Sequence, residues 1–499
     1  MSAPFLDQLR SICATRAAYP AIVHRDRVYS YGELDHMAEQ SAAWLQSLGL
    51  EKGDRVVLYT SERMPFLAAH LGILYAGGVS LPLNPRFTRE EMRYFLADSG
   101  ARLVVTATES RAVVDGMQGQ LPELRVVVPD AALWKLPSDR FREPSLTAND
   151  ACLIIYSSGT TGWPKGVVHT QANLASGLKA LQRCWRFTPD DRVTNVLPLF
   201  HVHGLCFATH LTLLTGGCVS LEDSFDPQRT LEAIGRGTVF MAVPTIYYRF
   251  LEEPGFAGAA GSWSRLRLFT CGSAPIRPEV LSKLEAILGQ PVINRYGMTE
   301  ALVITSLPLD GPWPAGSVGL PLHGTEVRVD REDGGRAPPL EIGAVRVRGL
   351  NLFREYWRQP AATRGAFVDG WFDTGDLGYL DQAGFLTLVG RKNDLIITNG
   401  YNVYPQVVER VINQCPGVSE SAVLGIPDER RGECVVAAVV RGDSALAEED
   451  LRAFCCERLV DYQRPVNLVF VEALPRNSLG KVLRHELRDQ VLNLIEDRG

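Results

Sequence analysis

The stretch YSSGTTGWPKGV, residues 156–167, combines four small hydroxyl side chains and three glycines with a single lysine, Lys165. Glycines let backbone N–H groups close on phosphate oxygens, and Ser or Thr hydroxyls add further donors. The stretch differs from the Walker A loop, because Pro164 and Gly166 flank the lysine where that loop has Gly and then Ser or Thr. It favours a phosphate-binding loop. The alternative is a plain surface turn between the strand-like segments 151–156 and 166–170.

Helix-like and strand-like segments alternate around this loop. Helical spacing of apolar residues predicts helices at 31–50 and 64–78. Short apolar runs predict buried strands at 54–60, 79–85, 101–108, 193–200, 238–244 and 266–272. Such alternation is typical of parallel sheets covered by helices. The expected fold class is therefore α/β, with a large N-terminal domain of parallel sheets plus a β-rich subdomain, and a small mobile α+β C-terminal domain.

The chain of 499 residues is too long for one hydrophobic core, so at least two domains are expected. Short strands with glycine turns between 324 and 390 indicate the β-rich subdomain. Beyond the charged connector at 390–397, the pattern predicts a helix, two strands and a helix at 405–415, 418–427, 433–440 and 448–459. We therefore place the domains at 1–390 and 391–499. The connector is either a hinge or an ordinary loop.

Composition excludes several classes of protein. A net charge of -6 argues against a nucleic-acid binder that relies on phosphate neutralisation. Ten cysteines without a C-x-x-C pair indicate free thiols in a reducing compartment. The N-terminal residues lack an apolar signal core, and no apolar run is long enough to cross a bilayer. We expect a cytoplasmic protein with no nucleic-acid or membrane partner.

Further segments carry side chains suited to a nucleotide. NRYGMTE, residues 294–300, offers an aromatic ring, a hydroxyl and a carboxylate, and GWFDTGDLG, residues 370–378, places Asp376 in a tight glycine-flanked turn. Arg391 follows in GRKNDLI, and LPRNSLGKVLR, residues 474–484, presents Lys481 on a glycine-containing turn. Each has a structural explanation when taken alone, as a core ring, a turn former or a surface charge.

Together and in this order, these motifs resemble the adenylate-forming family of acyl-CoA synthetases, luciferases and peptide-synthetase adenylation domains, from about residue 29 to residue 488. The resemblance implies an enzyme that uses ATP, Mg²⁺ and coenzyme A as co-substrate. It would activate a small carboxylic acid as an acyl-adenylate and transfer it to CoA, with release of AMP and pyrophosphate. The small C-terminal domain would rotate between the two half-reactions.

The resemblance also implies site residues. The catalytic residues would be Lys481, Thr299 and Glu300, and Glu300 would hold Mg²⁺. The ATP-binding residues would be Ser157, Ser158, Gly159, Thr160, Thr161, Gly162, Lys165, Gly272, Ser273, Ala274, Pro275, Asn294, Tyr296, Gly297, Asp376 and Arg391. Asn393 would be the hinge, and Gly400 and Tyr401 would line the CoA tunnel.

The acyl pocket is implied to include His201 and His203 of LPLFHVHGL together with Arg295. A permanent cation there suits a second carboxylate on the substrate, which a protonated or donating histidine would help to bind. The motifs resemble malonyl-CoA synthetases most closely, with departures at Asn294 and Leu307. We therefore expect malonate or a related dicarboxylate. The alternative is that Arg295 forms a salt bridge with a neighbouring loop and the pocket takes a short- or medium-chain monocarboxylate or a fatty acid.

Two other classes of function share some of these features. A ligase that loads an acyl group on the phosphopantetheine of an acyl carrier protein would have the same ATP motifs. A non-catalytic binding module would have no need for Lys481, Glu300 and the phosphate loop together. The expected partners are the acid, ATP and CoA, with a carrier protein as the alternative acceptor, and the chain would be a monomer or homodimer.

Overall fold

The structure is a computed structural model that describes residues 2–119, 121, 124–128, 137–157, 163–428, 430–442, 445–476 and 481–496. Helices α1 to α15 span Pro4–Thr15, Tyr31–Ser47, Arg63–Tyr75, Arg89–Ser99, Arg111–Val114, Gln171–Cys184, Leu211–Leu214, Pro227–Ile234, Pro244–Glu252, Phe256–Gly261, Pro278–Leu288, Pro360–Gly365, Pro405–Ile412, Glu448–Arg458 and Arg484–Glu496. Strands β1 to β13 span Pro20–His24, Arg27–Ser30, Arg55–Tyr59, Val79–Pro82, Leu103–Thr106, Arg125–Val127, Ala151–Ser157, Lys165–Thr170, Arg192–Asn195, Cys218–Leu221, Val239–Ala242, Leu268–Cys271 and Val292–Met298. Strands β14 to β26 span Leu302–Ser306, Leu320–Pro321, Thr325–Asp330, Gly343–Gly349, Glu355–Tyr356, Phe367–Val368, Trp371–Leu380, Leu386–Arg391, Ile396–Thr398, Tyr401–Val403, Val418–Asp428, Gly432–Arg441 and Asn467–Val471.

The chain forms two compact units. The first consists of Met1–Glu326 and Arg348–Gly370, and the second of Val327–Val347 and Trp371–Gly499. Among the helices that the structure describes, none is long and apolar enough to cross a membrane.

The first unit contains two large sheets. The nine-stranded sheet has the order β15-β14-β13-β12-β11-β9-β10-β1-β2, and the seven-stranded sheet has the order β18-β8-β7-β4-β3-β5-β6. Strands β9 to β12 pair in parallel, as do β3, β4, β5 and β7, whereas β8 pairs antiparallel with β7 and β18. The predicted α/β class with parallel sheets is confirmed.

Continuous apolar runs explain the parallel strands. Strands β3, β4 and β5 are buried almost throughout, as expected where helices cover both faces of a sheet. Val57 and Leu81 from these strands share a core with Phe95 of α4. This core fixes α4 against the sheet that carries the predicted phosphate loop.

Helix α4 has clear start and stop signals. The side chain of Thr88 accepts a hydrogen bond from the backbone of Glu91, and the Glu91 side chain accepts one from the backbone of Thr88, which forms a capping box. Gly100 ends the helix at φ 59°, a left-handed conformation that glycine adopts without steric cost. The helix is therefore well defined at both ends.

The second unit contains two smaller sheets. In one, β17 lies between β16 and β20, and β21 pairs with β20. The other has the order β23-β22-β25-β24, with β26 parallel to β25. Helices α13 and α14 cover one face of that sheet through Val408 and Leu451, which share a core with Val435. The predicted domain boundary at 390/391 stays a prediction, and the β-rich sheet falls in the same compact unit as the C-terminal sheet.

The tight turn predicted around Asp376 is wrong, because Asp376 lies in the middle of strand β20. The glycines on either side of Asp376 are required for other structural reasons. Gly375 has a φ of 70°, and at Gly378 a Cβ atom would lie 2.6 Å from the carbonyl oxygen of Thr387 on β21. The pairing of β20 with β21 shifts register between Leu377 and Gly378. Glycines here mark a bulge and a close backbone approach rather than a turn.

A π-helical segment, His203–His210, follows the loop after β9. A Cβ atom at Gly204 would lie 2.3 Å from the carbonyl oxygen of Pro198. The Nδ2 group of Asn195 donates a hydrogen bond to the carbonyl oxygen of Gly204 at 3.0 Å and so fixes the backbone at this position. The loop 196–202 therefore packs directly against the backbone of the π-helical segment.

Gly204→Ala should destabilise the first unit by about 1 to 3 kcal/mol, because the added methyl group overlaps backbone atoms that cannot move independently. Thermal unfolding followed by circular dichroism measures the change. Gly258→Ala in the exposed helix α10 is the matched control, since its Cβ would meet nothing within 4 Å. That variant should be stabilised by roughly 0.5 to 1 kcal/mol. Equal melting temperatures for Gly204→Ala and wild type would contradict the expectation.

Candidate active site

The predicted phosphate loop joins two paired strands. Ser157, at the end of β7, lies opposite Lys165, at the start of β8, in the antiparallel register. The predicted residues Ser158, Gly159, Thr160, Thr161 and Gly162 lie outside the described residues. The hydroxyl and the lysine therefore stand at the two ends of the loop, as the sequence predicts.

Helix α4 contacts both flanks of this loop. The hydroxyl of Tyr156 donates to Oδ2 of Asp98 at 2.6 Å. On the other flank, the ring of Trp163 stacks on Tyr94 with centroids 4.5 Å apart, and the Tyr94 hydroxyl donates to the carbonyl oxygen of Pro164 at 2.7 Å. The ends of the hairpin are thus fixed to a rigid element, which the sequence did not indicate.

Glu300 lies in the tight connection between β13 and β14. Its Oε1 accepts a hydrogen bond from the hydroxyl of Tyr356 at 3.1 Å and is 3.5 Å from Oγ of Ser157. The backbone N–H of Phe353 donates to the Glu300 carbonyl oxygen at 2.7 Å. Burial and the neighbouring Glu300 carboxylate raise the pKa of Tyr356, so its hydroxyl stays protonated and donates.

Lys165 approaches the same tyrosine from another side. Its Nζ lies 5.1 Å from the centre of the Tyr356 ring, within cation–π range. The structure thus brings Ser157 and Lys165 of the predicted phosphate loop together with Glu300, which the sequence placed in a separate motif. Tyr356 was not predicted, because it is 56 residues from Glu300 in sequence and belongs to no spacing pattern.

Thr299 is held through its backbone. Nε2 of the fully buried His169 donates to the Thr299 carbonyl oxygen at 2.7 Å. Burial lowers the pKa of His169 to about 4, so the ring is neutral near pH 7, with Nε2 as its protonated nitrogen. Strand β8 therefore fixes the backbone of the Thr299–Glu300 connection through the hydrogen bond from His169.

Arg295 is almost completely buried, with 4% of its surface exposed. One guanidinium nitrogen donates to Oγ of Ser273 at 3.3 Å, and the group lies 5.0 Å from the ring centre of Phe207 in the π-helical segment. Burial lowers the pKa of Arg295 to about 10, which leaves it charged at neutral pH. Within the described part of the chain, no carboxylate pairs with Arg295, and its Nε has no hydrogen-bond partner.

The segment GSAP, residues 272–275, wraps around this arginine. At Gly272 a Cβ atom would lie 2.5 Å from Nε of Arg295, and Ser273 takes a φ of 73°. Next to the arginine in β13, Asn294 and Tyr296 are also buried. The predicted nucleotide segment 272–275 directly follows β12, and the segment 294–297 lies on β13, which pairs with β12.

The two predicted pocket histidines are neutral. Burial lowers the pKa of His201 to about 4, and burial together with the charge of Arg295 lowers the pKa of His203 well below its usual value. Nδ1 of His203 lies 3.2 Å from Oγ of Ser273, which joins it to Arg295. Of the two forms expected, a protonated or a donating histidine, the second fits a neutral ring beside the Arg295 cation.

In the second unit, Asp376 and Arg391 are register partners on β20 and β21. Their side chains form an ion pair with Arg391 Nε 2.7 Å from Asp376 Oδ1. Loss of hydration and the positive charge of Arg391 lower the pKa of Lys481, while Asp376 and Asp394 oppose that change. Three predicted residues from separate motifs are therefore neighbours in this unit.

The predicted hinge residue Asn393 lies in the 3₁₀ turn Lys392–Asp394, directly after β21. The predicted CoA-tunnel residues follow it in a two-residue hairpin between β22 and β23. Asn399 and Gly400 have φ values of 50° and 79°, as a type I′ turn requires. Tyr401 is 56% exposed and stacks on Tyr462 at 4.6 Å.

A groove of about 540 Å³ opens beside this hairpin. Its lining includes the stacked Tyr401 and Tyr462, Arg431, and the ion pair of Arg464 with Asp461. Exposed aromatic rings beside the Arg431 guanidinium suit a ligand that carries a ring and phosphate groups.

The described residues contain no group of three or more His, Cys, Asp or Glu that could hold a metal ion by itself. Glu300 and Ser157 nevertheless provide oxygen ligands at the end of the phosphate loop. These two oxygen ligands suit a divalent cation whose remaining ligands are oxygens of a triphosphate and water.

Comparisons with known proteins show the family of the chain. The profile of the AMP-binding enzyme family matches residues 9–357, and that of the AMP-binding enzyme C-terminal domain matches residues 407–481. The long-chain-fatty-acid–CoA ligase FadD13 of Mycobacterium tuberculosis is 36% identical, covering 92% of this chain and 93% of that protein. The oxalate–CoA ligase of Arabidopsis thaliana is 34% identical, covering 91% and 92%. ATP-bound MatB from Rhodopseudomonas palustris has a TM-score of 0.93 at 37% identity, covering 98% of this chain and 99% of that structure.

The buried His169 should make stability depend on pH. Its folded-state pKa of about 4 lies below the unfolded value of 6.5, so the unfolded chain binds the proton first. Stability is therefore complete above pH 6.5 and falls as the pH drops toward 4, by roughly 3 kcal/mol over that interval. Denaturant unfolding at several pH values measures the slope. His169→Gln should reduce the slope by this share, while the other buried histidines keep theirs, and an unchanged slope in a folded variant would contradict the assignment.

Proposed function

Because the chain belongs to the AMP-binding enzyme family and is an AMP-forming acyl-CoA ligase, we propose that its acid is malonate or a closely related small dicarboxylate. ATP drives the formation of an acyl-adenylate, and CoA then takes the acyl group. The likeness to malonyl-CoA synthetases predicted from the motifs is confirmed by the MatB structures.

The observation that carries the proposal is the buried guanidinium of Arg295 beside Ser273 and His203. Malonate reacts through one carboxylate and keeps the other charged. Burying that charge without a partner costs several kcal/mol, so its pocket must supply a cation or strong donors. Arg295 offers that cation without a competing carboxylate among the described residues, and the hydroxyl of Ser273 offers a further donor.

In the first half-reaction, Ser157 and Lys165 bind phosphate oxygens of ATP with the rest of the loop. Glu300 would hold Mg²⁺, which neutralises charge on the triphosphate when bound and which the oxygen ligands at this site fit. Thr299 contacts the α-phosphate. Tyr296 stacks on adenine beside the segment 272–275, with Asn294 and Gly297 next to it in β13.

The second unit contributes the remaining adenylation residues in this proposal. Asp376 accepts hydrogen bonds from the ribose hydroxyls, and the ion pair with Arg391 holds its carboxylate in place. Lys481 neutralises the charge that develops on the α-phosphate as the acid attacks, which is the main electrostatic requirement of the step.

In the second half-reaction, Asn393 serves as the hinge and the hairpin at Gly400 and Tyr401 contacts the thiol arm. We assign the groove beside that hairpin to the nucleotide of CoA, because Arg431 suits its phosphate groups and the tyrosines suit its base. A carrier-protein phosphopantetheine lacks that nucleotide. The groove therefore favours free CoA as the acceptor.

The competing assignment is a monocarboxylic or long-chain fatty acid, since several relatives are named as long-chain-fatty-acid–CoA ligases. Such a substrate would leave Arg295 unpaired. Pyrophosphate release should be compared for oxalate, malonate, methylmalonate, butyrate and palmitate, each with and without CoA. Malonate or methylmalonate should give the highest kcat/KM, and a preference for butyrate or palmitate would overturn the dicarboxylate proposal.

Arg295→Ala should weaken malonate binding by about 2 to 5 kcal/mol, because it removes the charged partner of the second carboxylate. The measured quantity is KM for malonate, with KM for butyrate as the internal reference, which should change less or improve. Arg111→Ala, which removes an exposed arginine paired with Asp115, is the control and should behave as wild type. An equal increase in KM for both acids would show that Arg295 stabilises the pocket without binding the second carboxylate.

Lys481→Ala should lower the rate of adenylation by about 10² to 10³, the usual loss when a group that stabilises transition-state charge is removed. Thioester formation from a pre-formed acyl-adenylate and CoA should stay close to wild type. Both rates are measured in single-turnover experiments, with Lys283→Ala in α11 as the control. A folded variant that loses both steps equally would refute this role for Lys481.

A further inference from the structure

Tyr356 contacts two opposite charges of the candidate site at once. Its hydroxyl donates to Oε1 of Glu300 at 3.1 Å, and its ring faces Nζ of Lys165 at 5.1 Å. The tyrosine itself is buried, with 9% of its surface exposed. Among the described residues, no ion pair joins Lys165 to Glu300, although both charges contact the same side chain.

The backbone holds Tyr356 firmly in this place. Strand β18 pairs antiparallel with β8, with Tyr356 opposite Val167, two residues after Lys165. The N–H of Tyr356 donates to Oγ1 of Thr363 at 2.9 Å. Three residues earlier, the N–H of Phe353 donates to the carbonyl oxygen of Glu300 at 2.7 Å. The segment 353–356 therefore fastens the lysine-bearing strand to the connection that carries Glu300.

A lysine and a carboxylate in one small site tend to pair with each other. Such a pair would satisfy both charges internally and compete with any ligand that needs them separately. The hydroxyl of Tyr356 donates to Oε1 of Glu300 and so takes an acceptor position that a lysine would otherwise use. The ring meanwhile gives Lys165 a weak, non-competing partner that an anion displaces easily.

We propose that Tyr356 is a positioning residue that keeps Lys165 and Glu300 from pairing, so that Lys165 binds phosphate oxygens while Glu300 binds the divalent cation that accompanies ATP. This inference rests on the proposed roles of Lys165 and Glu300. The two contacts of Tyr356 contribute separately to ligand binding, because the hydroxyl contacts the Glu300 carboxylate and the ring contacts Lys165.

Isothermal titration calorimetry with MgATP, and with ATP in EDTA, separates the two contributions without relying on turnover. Tyr356→Phe keeps the ring and removes only the hydrogen bond to Glu300. Its affinity for MgATP should fall about 10- to 100-fold, the usual loss when a partner of a metal ligand is removed. Its affinity for metal-free ATP should stay within about twofold of wild type, since the ring contact to Lys165 is intact. Tyr356→Leu should weaken both.

Tyr75→Phe is the matched control. Tyr75 is buried and its hydroxyl donates to Oδ1 of Asp35 at 2.6 Å, so the variant loses the same kind of hydrogen bond away from the site. Its binding of both ligands should equal that of wild type. Near-wild-type MgATP affinity in Tyr356→Phe, or an equal loss with both ligands, would overturn the inference.

Glu300→Gln and Lys165→Met distinguish failure of the inference from failure of the roles on which it rests. Glu300→Gln should lose affinity for MgATP selectively, and Lys165→Met should lose affinity for ATP with or without the metal ion. If either variant binds both ligands as wild type does, the proposed role of that residue is wrong and the role of Tyr356 is wrong with it. If both behave as expected while Tyr356→Phe matches wild type, only the inference about Tyr356 is overturned.

Discussion

The antiparallel pairing of β8 with both β7 and β18 is the constraint on which the rest of the candidate site depends. One neighbour sets Ser157 opposite Lys165, and the other sets Tyr356 beside the same lysine. The same strand carries His169, whose ring supports the carbonyl of Thr299. A single strand thus fixes a hydroxyl, a cation and the backbone next to a carboxylate, and main-chain hydrogen bonds provide the precision that separate loops would lack.

A second constraint is the cost of keeping charges out of water. Arg295 is buried with a hydroxyl and an aromatic face as its contacts, and it lowers the pKa of the neighbouring His203. The surrounding backbone leaves room for it only because residue 272 is a glycine. A protein that accepts such a cost at one position gains a buried charge of fixed sign. Under the proposed function, this charge favours an acid with a second carboxylate.

Much of the fold could be predicted because its signals are local. Runs of apolar residues predicted the parallel strands. The pair Asn399–Gly400 forms the two-residue turn of a hairpin, which is the kind of turn that this dipeptide favours. The same local reasoning failed at Asp376, since a glycine can mark a bulge as well as a turn. Tyr356 and the contacts of α4 could not be predicted, because they join segments far apart in sequence through individual side chains. The neutral state of His203 likewise depends on burial, which no short motif encodes.

The stack of Trp163 on Tyr94 gives the chain an optical property. Trp163 is 57% exposed and lies within the predicted phosphate loop, two residues before Lys165, whereas Trp185 is fully buried. An indole in contact with both water and a phenol ring changes its emission when either contact changes. The native chain therefore contains a partly exposed fluorophore in its predicted phosphate loop, and movements at that end of the hairpin are open to stopped-flow spectroscopy without a label.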